Sequence, residues 1–175
     1  MAVLDIVKYG DPILRKVCNP VSDFSNLDQL IYDMFDTMYE AEGIGLAANQ
    51  VGQDMNLFII DIAHTEEAVE PCVYINGKII SSKGESPFEE GCLSIPEVTF
   101  EIMRPEFIHF KYQSIDGEWH EKEIGGLLAR AIQHEIDHLT GKMIVDRVND
   151  VARLPFKKQL KTLAKESKQR LNNLA

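Results

Sequence analysis

Apolar positions along the chain change period several times, and each change marks an element. Leu27, Leu30, Ile31, Met34, Phe35 and Met38 recur at three- and four-residue intervals, which predicts a helix over residues 26–41 that Gly43 stops. The spacing then shortens. "LFIID" (57–61) and "CVYIN" (72–76), with "KIISS" close behind, are short apolar runs that read as strands, and "FIHFKY" (107–112) is rich in β-formers. "SIDGEW" supplies a turn at Asp116-Gly117. Helical spacing returns from about Gly126 to Leu139, with Gly141 as a stop, and a third helix is expected from near Pro155. Earlier, Asp11-Pro12 reads as the cap and first residue of one short turn through "ILRKVC". Strands lying between helices without regular alternation favour an α+β fold over a doubly wound one. No repeat, low-complexity tract or linker interrupts residues 1–175, so a single domain is expected, with antiparallel or mixed sheets around a central helix and a C-terminal helix from about 150–175.

Composition adds little to that picture and charge adds more. Hydrophobic residues make up 45% and charged residues 26% of the 175, an ordinary globular balance, with no apolar run long enough for a membrane span. The opening "MAVLDIVKYG" lacks the pattern of a signal peptide, and three cysteines are no disulfide framework, so a reducing cytoplasm is the expected compartment. The net charge of −10 is uneven. From residue 151 onward Arg153, Lys157, Lys158, Lys161, Lys165, Lys168 and Arg170 face one acid, Glu166, which makes the tail +6 and the remainder −16. An acidic body argues against DNA as a partner.

"QHEIDH" (133–138) carries the chemistry. On a helix, residues four apart share a face, so His134 and His138 can present two imidazoles to one ion. Glu135 stands about 100° around, beside the ion, where it could take a proton from an activated water. Leu128, Ile132, Ile136 and Leu139 mark a separate, inward face of the same helix, which puts the polar trio in partly buried surroundings where a metal would partner it. The plain alternative is an exposed helix that happens to hold two histidines. A catalytic metal needs a third protein ligand. Downstream there is no histidine, and the one glutamate, Glu166, lies in the lysine-rich tail. His64, His109 and His120 are isolated and read as structural or exposed. Cys18, on the early turn, and Cys72, opening a strand, read as small buried apolar residues. Cys92, in the non-periodic stretch "FEEGCLSIP" between Gly91 and Pro96, is the ligand this elimination leaves.

"GIGLAANQVG" (43–52), "EGCLS" (90–94) and "QHEIDH", in that order, resemble the three signatures of the peptide deformylases, and the likeness runs over nearly the whole chain. The resemblance implies a bacterial cytoplasmic hydrolase that removes the N-formyl group from the formylmethionine of new polypeptides and releases formate. It implies one divalent metal on Cys92, His134 and His138, ferrous iron natively, with zinc, nickel or cobalt able to take its place. It makes Glu135 the general base and then acid, and assigns the side-chain amide of Gln50 and the backbone N–H of Leu93 to the oxyanion. Ile44, Phe88, Leu127 and Ala131 are expected around the methionine side chain, with Gly45 bonding the peptide backbone. Gly43 and Gly45 would permit a close backbone approach to ligand and metal helix. Glu42 and Arg104 are expected to form an ion pair steadying the active-site loop.

The chain departs from the common pattern at Glu97, after "SIP", and at Gly77, after "YIN"; both bear on loop shape rather than on a ligand. The lysine face of the last helix resembles one that docks on the ribosome near the exit tunnel, where phosphates would attract it; a solvated helix packed on the domain is the competing reading. Two other functions fit part of the sequence. A zinc endopeptidase would use the helix motif but would leave Gln50 and Cys92 without a task, and a non-catalytic metal-binding or ribosome-binding relative would not need Glu135.

Overall fold

The computed structural model describes residues 2–175. Asp11 accepts from Ile13 N and Pro12 enters a 3-10 turn over Pro12–Arg15, as the sequence suggests. Helix α1 (Asp28–Glu40) buries Ile31, Met34, Thr37 and Met38. Its end differs from expectation. Glu42, not a glycine, takes the left-handed conformation (φ 57°), and the N–H groups of Glu42 and Gly43 return to the carbonyls of Tyr39 and Met38. Gly43 packs closely instead: a Cβ there would stand 2.7 Å from Leu93 Cδ1, which would have to move aside.

Seven strands follow in two antiparallel sheets. They are β1 (Gly45–Ala47), β2 (Leu57–Ile60), β3 (Cys72–Lys83), β4 (Ser86–Cys92), β5 (Ile95–Arg104), β6 (Phe107–Gln113) and β7 (Trp119–Ile124). Strands β1-β2-β3-β6-β7 form one sheet in that order, and β4-β5 form a separate hairpin. "CVYIN" and "KIISS" belong to one strand. The Asn76-Gly77 step between them is a bulge that shifts the register against β6, with Asn76 at φ 52°. The hairpin and the strand β7 fall in regions the sequence pattern left as loop, bend or turn.

Helix α2 (Gly126–Leu139) lies across β1, β2 and β6. Strand β2 shows why it sits centrally. All four of its residues are buried: Leu57 and Ile59 face the core under α1, and Phe58 and Ile60 face the core under α2. A third core joins the hairpin, through Val98, Phe100 and Ile102, to Leu14, Val145 and Leu160. A one-turn helix α3 (Asp150–Arg153) leads to α4 (Lys157–Leu174), which docks on the N-terminal segment: Ser167 Oγ donates to the carbonyls of Lys8 and Tyr9. Among the described residues no helix is long and apolar enough to cross a membrane.

Candidate active site

His134 and His138 leave α2 on one face, with their Nε2 atoms 3.3 Å apart. Cys92 ends β4 where the register against β5 slips between Gly91 and Cys92, and its Sγ reaches 3.2 Å from His138 Nε2. The three donor atoms lie within 4.8 Å of one another, and among the described residues no other group of His, Cys, Asp and Glu gathers in this way.

Their surroundings fit a divalent metal. Glu90 Oε1 lies 3.0 Å from His134 Nδ1, so the ring donates there and its Nε2 lone pair faces the cluster. Two ring nitrogens and a sulfur converging in a buried space repel one another unless a proton or a metal ion stands between them, and a cysteine sulfur with two imidazoles suits zinc or ferrous iron. Burial disfavours the charged form of both rings. In His138, burial and the nearby His134 and Arg104 charges hold the ring neutral. In His134, hydrogen bonds to Cys92 and Glu90 outweigh burial and raise its pKa, so a metal would compete with a proton there.

Glu135 sits beside the cluster, 4% exposed, and burial pushes its carboxyl up to about 7. Its Oε2 has no hydrogen-bond partner in the protein. A Cβ on Gly45 would come 2.6 Å from Glu135 Oε1, so a side chain there would crowd the carboxylate. Gln50 lies in the 3-10 turn Ala48–Val51. Its Oε1 accepts from Ala47 N, and its Nε2 points to Ser94 Oγ at 3.1 Å and Cys92 Sγ at 3.7 Å. The carbonyl half of the amide is therefore engaged, and the donor half faces the cysteine.

Gln50, Cys92, His134 and Glu135 open onto a cleft of about 760 Å³. Ile44, Gly45, Phe88, Leu93, Leu127 and Ala131 all line it, and Glu42 stands at its rim. Arg104 is elsewhere, which corrects the expected pairing with Glu42. The inward alternation of β5 turns Arg104, 4% exposed, toward α2. There its Nε and Nη2 donate to both oxygens of Glu90 at 2.7 and 2.9 Å, and its Nη1 donates to Asp137 at 2.9 Å. Glu42 remains exposed in the loop after α1.

Four members of this network escaped the sequence reading as functional residues. Glu90 is the hub. Burial alone would raise its pKa, but His134 and Arg104 outweigh that and hold it at about 2. Asp137 takes Arg104 on one side and Arg147 on the other, with Arg147 Nε 2.9 Å from Oδ2. Arg130 donates to Glu90 Oε2 at 2.6 Å. A signal existed for Arg130, since it stands one turn before His134 and must share its face. The other histidines lie outside the cleft: His109 bonds Glu121 and His120 stacks on Tyr112.

An α+β frame that gathers a thiol and two imidazoles beside a partnerless buried carboxylate, at the wall of an apolar cleft, defines a metal-dependent hydrolase. Comparison with known proteins narrows the class. A family model described as polypeptide deformylase matches residues 3–154. The peptide deformylase of Syntrophobacter fumaroxidans is 45% identical over 168 residues, covering 95% of this chain and 99% of the relative. Among solved structures, a peptide deformylase from Legionella pneumophila superposes with a TM-score of 0.85 at 40% identity, over 95% of this chain and 98% of that one. The peptide deformylase from Thermus thermophilus gives 0.88 at 37% identity, over 94% and 99%. The chain belongs to the polypeptide deformylase family.

Proposed function

We propose that the chain hydrolyses the N-formyl group of formylmethionyl peptides in the bacterial cytoplasm and releases formate, with the three signatures acting as one machine. The observation that carries this reading is Glu135: a carboxyl buried beside Cys92, His134 and His138, partnerless at Oε2 and open to the cleft. Those three residues would hold ferrous iron, or zinc, nickel or cobalt in its place, and the bound cation would supply positive charge to acidify water and polarise a carbonyl. Glu135, pushed up to about 7, is matched to taking a proton from that water and returning it to the departing amine near neutral pH. Gln50 Nε2, its orientation fixed through Ala47, and the Leu93 N–H supply donors for the oxygen as it becomes negative. Ile44, Phe88, Leu127 and Ala131 receive the methionine side chain, and Gly45 bonds the peptide backbone.

A role at the ribosome finds support in α4, where Lys157, Lys158, Lys161, Lys165 and Lys168 are all exposed. A phosphate-rich surface would attract such a face and release it as salt rises.

The assay that separates the readings offers formyl-Met-Ala-Ser, acetyl-Met-Ala-Ser and an unblocked peptide to protein prepared with iron under nitrogen. Formate from the first alone is expected. Cleavage within the unblocked peptide would favour an endopeptidase, and no product from any would leave a binding protein.

A further inference from the structure

Arg130 is buried at 8% exposure, and such a charge is retained only where its donors are used. Its Nη1 donates to Glu90 Oε2 at 2.6 Å and to the Ile102 carbonyl at 3.1 Å, and its Nη2 donates to the Ser86 carbonyl. Those oxygens belong to both strands of the β4–β5 hairpin and to the carboxylate that supports His134. The guanidinium plane is therefore pinned from three sides. Phe88 lies between Ser86 and Glu90 on β4, with its ring centroid 5.5 Å from Arg130 Cζ. Phe88 is 52% exposed and stands on the cleft wall. The ring is half exposed on the hairpin, and the pinned guanidinium lies against it within cation–π range. On α2, Leu127, Arg130, Ala131 and His134 follow the spacing of one helical face, and all line the same cleft.

We propose that Arg130 is a positioning residue for substrate selection: it holds Phe88 as a fixed wall of the side-chain pocket and so sets the preference for a long, unbranched apolar side chain over a short one. In naming methionine as that side chain, the inference rests on the deformylase reading above. The guanidinium touches no reacting atom and acts through Phe88.

The test measures binding of Met-Ala-Ser and Ala-Ala-Ser to the metal-loaded full chain by calorimetry, in wild type, Arg130→Met, Arg130→Lys, Phe88→Leu and the double variants. Wild type should prefer Met-Ala-Ser. Arg130→Met should weaken Met-Ala-Ser about tenfold and leave Ala-Ala-Ser within about twofold, the scale of a lost apolar contact. Phe88→Leu should do the same, and the double variant should be no worse than either single one, because the two residues act as a unit. Arg130→Lys, a point charge without a plane, should recover only part of the preference. Unchanged preference in Arg130→Met, or effects that multiply in the double variant, would overturn the proposal, as would a wild type that does not distinguish the two peptides. If Arg130→Met does not fold, the cycle of Arg130→Lys with Phe88→Leu is read by the same criteria. Formate release from formyl-Met-Ala-Ser is recorded in parallel on wild type. Its absence with the side-chain preference intact sinks the deformylase reading alone, whereas its presence with preference unmoved in the variants sinks the role of Arg130 alone.

Discussion

Helices α2 and α4 are both amphipathic, and each turns an apolar stripe to a core: Ala129, Ile132 and Leu139 on α2, Leu160 and the partly buried Leu163 on α4. They part company in the fate of their charged residues. On α4 the lysines stand in water, and only Ser167 among its polar side chains is buried. On α2 the polar residues are themselves interior: Arg130, Gln133, Glu135, Asp137 and His138 are all buried. A buried ionisable group is costly unless it is partnered, so each polar residue on α2 has a specific neighbour or a task, and those on α4 need neither. Two sequences of similar periodicity thus lead to a reaction centre in one place and a solvated surface in the other.

The sharpest break should come at Glu135. Replacing it by alanine is expected to lower kcat/KM for formyl-Met-Ala-Ser by about 10³-fold or more while metal content stays at the wild-type level, read by formate assay and elemental analysis. A variant that kept its rate would remove the general base. Next in size is the buried network. Arg104→Met leaves the Glu90 carboxylate short of its two-pronged partner and takes one of two guanidiniums from Asp137, and should cost about 3–5 kcal/mol in denaturant unfolding. Removing the charge from an exposed pair such as Lys16–Asp54 should leave the unfolding midpoint close to that of wild type. Chelation sits between them: stripping the ion should lower the melting temperature, because a ligand of the native state stabilises it by mass action, and re-addition should restore it. At the small end, converting Lys158, Lys161 and Lys165 to glutamine should shift stability by about 0.5 kcal/mol or less and leave formate release unchanged. If that triple variant also sedimented with ribosomes at low salt as wild type does, the ribosomal role of α4 would fall.

The sequence revealed α2 clearly because a period of 3.6 with a sharp inward stripe is a local signal, and the two histidines with Glu135 sit on that same period. Cys92 was reachable by elimination among three cysteines. The hairpin that carries it was not seen, although β5 buries Val98, Phe100, Ile102 and Arg104 in strict alternation. Pro96 and the glutamates at 97 and 101 gave that stretch the look of a loop, and an arginine on the inward side disguised the period. The partners of Arg104 were hidden for a related reason. Choosing Glu90 over Glu42 requires knowing which face of an unrecognised strand points at α2. Strand β7 stayed invisible because it is an exposed edge whose only buried residue is Ile124, with no apolar face to announce it. Local period and residue chemistry were legible; cross-chain pairing of charges was not, since it depends on register.

The measurement that bears most directly on the centre is metal content per chain, taken on wild type and Cys92→Ser purified side by side without oxygen. One divalent ion per wild-type chain is expected, with iron predominant, and a large loss in the serine variant, whose shorter, harder oxygen cannot replace the sulfur that sits 3.2 Å from His138 Nε2. Full occupancy in Cys92→Ser, or no ion in wild type, would contradict it.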